Sequence, residues 1–157
     1  MQIDGLIKLH YRQFIELTVS PDDLSTLVVF GNDDMPHEHY AYDERNRSIW
    51  KCGLDKQHAI SMLVSSEEDA HAPAWSTTGD SIAYISRVSG KPEIWIMNND
   101  GSQKRPVTQL DCFNGRDVLN GTKLLWSPDD TFIIFNVVPY GGLYGLWQGI
   151  KKQTKRG

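Results

Sequence analysis

The sequence predicts an all-β fold: an incomplete β-propeller of just under three four-stranded antiparallel blades, preceded by a short N-terminal helix. Three observations carry it. A turn recurs at Ser20-Pro21-Asp22-Asp23, Ser76-Thr77-Thr78-Gly79 and Ser127-Pro128-Asp129-Asp130. A dense apolar run follows each turn: LVVF, IAYI, then IIFNVV. A third run then centres on tryptophan, at Trp50, Trp95 and Trp147. Ser76 to Trp95 spans 19 positions and Ser127 to Trp147 spans 20, whereas Ser20 to Trp50 spans 30. The first copy therefore holds about ten extra residues, the stretch NDDMPHEHYAYDERN.

Taken in order, residues 4 to 14 (DGLIKLHYRQF) bring Leu6, Leu9 and Phe14 near one face, with Asp4 placed to cap, and predict a short helix in a lead-in covering residues 1–14. FIELTVS then alternates apolar and polar residues up to the Ser20 turn, and LVVF ends at Gly31, which reads as strand, hairpin, strand. The Trp50 run and AISMLV complete a first blade over residues 15–70, with the insertion at 33–46. The second blade, 71–111, runs from the strand ending at Trp75 to PVTQL after the Asn99-Asp100-Gly101 turn. A partial third blade and a basic tail occupy 112–157, where Lys151, Lys152, Lys155 and Arg156 read as a solvated terminus.

Four short strands per repeat with a period near 50 is the pattern of a propeller blade. The middle strands are apolar on both faces, Ile82 and Tyr84 against Ala83 and Ile85, Ile94 and Ile96 against Trp95 and Met97. Such strands must be covered on both sides, as in a radial stack. Propellers close with about four to eight blades, so this chain is expected to be the front portion of a longer protein or to assemble through exposed blade faces.

Composition narrows the function classes. Hydrophobic residues make up 39% and charged residues 23%, with a formal net charge of −4. These values suit a globular chain and argue against nucleic acid as a partner. Asp4, Lys8, His10 and Arg12 interrupt the N-terminal apolar residues, so no signal peptide or membrane span is expected and the predicted location is cytoplasmic. Cys52 and Cys112 lack metal or disulfide-framework spacing.

The candidate ligand or partner loop is Asp33, Asp34, His37, Glu38, His39 and Tyr40. On an extended strand His37 and His39 share one side, the arrangement of two metal ligands, but no third ligand stands at a fixed spacing. The loop therefore reads as solvated and polar, with Arg45 and Arg47 diluting its acidity. Ser76 and Ser127 repeat as turn framework and are rejected as nucleophiles. The five tryptophans at repeat-equivalent positions read as packing. No catalytic residue, cofactor site or metal site is assigned.

The residues Pro73-Ala74-Trp75-Ser76, Gly79-Asp80, Ile82-Ala83-Tyr84, Ile94-Trp95-Ile96-Met97-Asn98 and Asp100-Gly101-Ser102 resemble the repeat of TolB-like propellers and of prolyl-oligopeptidase-family serine peptidases. The opening DGLIKLHYRQFIELTVSPDD and the first-blade insertion are similar to the acylaminoacyl-peptidase and dipeptidyl-peptidase branch of the latter. Asp23 and Asp130 stand where those repeats favour glycine. The resemblance implies a non-catalytic propeller portion that admits short peptides to a hydrolase domain elsewhere in the protein. No G-x-S-x-G occurs here, so no catalytic residue carries over. The alternative is a TolB-like scaffold that binds a protein partner.

Overall fold

The computed structural model describes residues 12–32, 46–109, 123–137 and 146–151. Their strands form three antiparallel sheets. The first comprises β1 (Arg12–Val19), β2 (Ser25–Asn32), β3 (Ser48–Gly53) and β4 (Ile60–Val64), hydrogen-bonded in that order. The second comprises β5 (Ala70–Trp75), β6 (Ser81–Ser86), β7 (Glu93–Asn98) and the two-residue β8 (Arg105–Pro106). The third has β9 (Leu124–Trp126), β10 (Phe132–Val137) and β11 (Leu146–Lys151). Between the first two sheets Ser66–Glu68 form a single 3₁₀ turn.

The expected N-terminal helix requires correction. Arg12, Gln13 and Phe14 are strand, paired with Asn32, Gly31 and Phe30. The ladder to β2 takes up the backbone groups on one side of these residues and those of Phe30, Gly31 and Asn32, which a helical turn would have left without this partner. Residues 1–11 lie outside the described residues, and no α-helix occurs among the described ones.

The three serine turns are built alike. Each serine accepts the N–H of the fourth turn residue on its carbonyl, from Asp23 at 3.0 Å, Gly79 at 3.0 Å and Asp130 at 2.9 Å. Each serine Oγ accepts the N–H that opens the next strand, from Ser25 at 2.9 Å, Ser81 at 3.1 Å and Phe132 at 2.9 Å. The fourth residue is left-handed every time, with φ of 58°, 77° and 55°. Gly, Asp and Asn are the residues that tolerate this conformation.

The middle sheet is buried from both sides, as its double apolar pattern predicts. Ile82, Tyr84 and Met97 pack with Leu27, Val29, Ile49 and Val64 of the first sheet. Ala83, Ile85, Ile94 and Ile96 pack with Leu124, Ile133 and Phe135 of the third. Leu17 and Met62 of the first sheet, and Leu125 and Phe132 of the third, remain exposed. Exposed apolar side chains thus stand at both ends of the stack among the described residues. β1, β5 and β9, the first strands of the three sheets, lie side by side.

Candidate functional site

The site is formed by those first strands. Among the described residues β1, β5 and β9 are each an edge of their sheet, bonded to one neighbour. Together with the adjoining turns they line a groove of about 870 Å³. Glu16, Arg47, His71, Trp75, Lys123 and Trp126 give it its chemistry.

Two bulges shape this wall. The β1 ladder shifts between Phe14 and Glu16, and the β5 ladder between His71 and Ala74. Ala72 adopts φ 51°, unusual for a residue with a Cβ. The Ala72 backbone favours the ionised form of the Glu16 carboxylate. Burial raises the Glu16 pKa above its ordinary value; the Ala72 backbone hydrogen bond and the charges of Arg47 and Lys123 reduce the rise without cancelling it. Bulges commonly re-aim a side chain or backbone group beside a site.

Arg47 and Asp69 brace the groove from behind. The guanidinium grips the carboxylate through Nε to Oδ1 at 2.8 Å and Nη2 to Oδ2 at 3.0 Å. Burial opposes ionisation of Asp69, but the Arg47 hydrogen bonds and charge, aided by His71, outweigh it and hold the pKa below 3.8. Nearby, Lys104 Nζ pairs with Glu68 Oε1 at 2.8 Å. Trp126 donates Nε1–H to the Ala74 carbonyl at 3.0 Å and so fastens β9 to β5.

The predicted loop residues Asp33, Asp34, His37, Glu38, His39 and Tyr40 lie outside the described residues, as do Arg45 and Cys112. Arg47 was expected to dilute loop charge; instead it is buried in the Asp69 pair. Ser76 and Ser127 are buried turn residues, consistent with framework. No group of three His, Cys, Asp or Glu residues among the described ones is arranged to hold a metal. Sequence reasoning missed Glu16 and Lys123. Glu16 falls on a polar position of the alternating run FIELTVS, so no break in pattern marks it.

No family model matches the chain. Against curated sequences it is 27% identical over 119 residues to the Tol-Pal system protein TolB of Alcanivorax borkumensis, covering 75% of this chain and 24% of that protein. Among solved structures, TolB from Acinetobacter baumannii superposes with a TM-score of 0.61 at 17% identity, over 92% of this chain and 33% of that one. The shared fold is the propeller blade. Pyrococcus horikoshii acylaminoacyl peptidase also carries it, with a TM-score of 0.57 at 12% identity over 83% of this chain and 18% of that one. The chain spans about a quarter of the length of the Alcanivorax relative. Seen as blades, the three sheets place β1, β5 and β9 at the inner edge, so the groove lies along the propeller axis. No helix among the described residues is long and apolar enough to cross a membrane.

Proposed function

We propose that this chain is a non-catalytic portion of a TolB-like propeller scaffold that binds an extended segment of a protein partner in the axial groove. The observation that carries the reading is the set of three edge strands facing one groove. Edge strands offer unpaired N–H and C=O groups, and an extended peptide adds to such an edge by main-chain hydrogen bonds. Glu16 and Lys123 supply opposite charges for selecting the peptide's side chains, and Trp126 supplies an aromatic surface. The sequence likeness to a protein named for the Tol-Pal system supports a binding module over an enzyme.

A second reading draws on the likeness to acylaminoacyl peptidase. In it the same groove admits short peptides to a hydrolase domain of the same protein, acting in the cytoplasm.

Selection of unstructured decapeptides displayed against the 157-residue chain distinguishes the readings. The scaffold predicts retained binders that weaken by about tenfold or more when alternate backbone nitrogens are methylated, and again in Lys123→Glu. Binders indifferent to both changes would overturn the groove as the site. A gate that only passes peptides predicts no retained binder.

A further inference from the structure

The serine turns also decide which blade follows which. Asp130, fourth residue of the third blade's turn, reaches back to the turn of the second. Its Oδ1 accepts the Thr77 N–H at 2.6 Å, and its Oδ2 accepts the Thr78 N–H and the Thr78 hydroxyl, both at 3.0 Å. One step earlier in the chain the same two positions are filled differently. Pro21 holds the second place of the first turn and has no N–H to give, and opposite it the fourth place of the second turn is Gly79. A Cβ on Gly79 would stand 3.6 Å from Pro21 Cδ. Donor turn meets carboxylate, and proline turn meets glycine.

Asp23 occupies the same fourth position in the first blade, with φ 58° against 55° for Asp130. It is exposed, and its carboxylate has no hydrogen-bond partner among the described residues. Beside it the outward face of the first sheet carries exposed Leu17, Val19, Ile60 and Met62. We propose that this face and Asp23 dock a preceding blade whose first turn keeps an N–H at its second residue and a hydroxyl at its third, as Thr77 and Thr78 do.

The requirement excludes a second copy of this chain joined head to tail. The open end of the chain presents Ser127-Pro128-Asp129, which lacks the second-place N–H and would set the Asp129 carboxylate against Asp23. The turn in this chain that has the right donors, at Ser76, is already taken by Asp130. The partner is therefore a blade of different sequence.

Self-association of the full chain tests this, because two copies of three sheets would make six blades, within the range of about four to eight in which propellers close. Replacing Pro128 and Asp129 together (P128T/D129T) gives the open end the missing donors. Sedimentation should then show head-to-tail association roughly tenfold or more tighter than in the unaltered chain. Adding D23A should cancel the gain. If P128T/D129T loses its β-sheet circular dichroism, P128T alone, with Asp129 kept, should show a smaller gain of the same D23A dependence. Association no tighter than in the unaltered chain, or a gain that survives D23A, would overturn the proposal.

Discussion

Arg47 and Asp69 form a bidentate ion pair across 22 positions of sequence, both side chains buried, with the Arg47 N–H also donating to Asp69 Oδ1 at 3.1 Å. The Ala70 N–H returns a bond to the Arg47 carbonyl at 2.9 Å. The start of β3 and the start of β5 are thereby locked together, which fixes the second blade against the first and sets the back wall of the groove.

Asp69→Asn isolates the charge, because asparagine also accepts the left-handed φ of 41° found there. Leaving a buried guanidinium without its carboxylate costs about 3 kcal/mol or more. Urea denaturation should show that loss, and a change below about 0.5 kcal/mol, typical of an exposed pair, would contradict the buried clasp.

The contact between turns makes a double-mutant prediction. Thr77→Pro removes a donor from buried Asp130 and should cost about 1–3 kcal/mol. Asp130→Gly should cost more alone, because it also frees the Thr78 N–H and hydroxyl, and should cost less in the Thr77→Pro background, where the Thr77 bond is already gone. Additive losses in thermal denaturation would refute the coupling.

Tyr84 is fully buried, and its hydroxyl has no hydrogen-bond partner among the described residues. Burial, with a lesser push from the Glu68 charge, raises its pKa well above the ordinary tyrosine range. Tyr84→Phe should therefore be neutral or stabilise the fold by about 1 kcal/mol, since an unmet polar group is removed and packing is kept. A loss of 1 kcal/mol or more in denaturant titration would reveal a bond that this account lacks.

The pH dependence combines two opposite signs. Asp69 and Asp130 both have folded pKa values below 3.8, so their contribution is present above pH 3.8 and is lost as pH falls through the folded values. Burial raises Glu16 above 4.5, so ionising it opposes folding above its folded pKa, and that cost is relieved as pH falls towards 4.5. Glu16→Gln should raise the melting temperature at pH 7, with the advantage shrinking as pH falls to 4.5. An advantage that grows on acidification would reverse the assignment.

Most of the framework was legible in the sequence because it is local and repeated. The spacing from serine to tryptophan placed the second and third strands of each blade, and the double apolar pattern around Tyr84 and Trp95 announced a sheet covered on both faces. The first strand was read too short, because Arg12 and Gln13 carry no apolar alternation and become strand only through pairing with β2. What joins blades was hidden. Asp130 looked like an irregular turn residue, and its donors are 52 and 53 positions away. Arg47 looked like a loop charge until Asp69 was brought against it. Glu16 sits in an ordinary alternating run, and only the bulge at Ala72, whose strain no composition signals, brings a backbone hydrogen bond to it.

Amide hydrogen exchange on the chain bound to a selected decapeptide tests the central claim most directly. The account predicts slowed exchange over residues 15–19, 71–77 and 123–126, the inner strands and turns that line the groove. Unchanged exchange in all three segments, with protection confined to other parts of the chain, would contradict it.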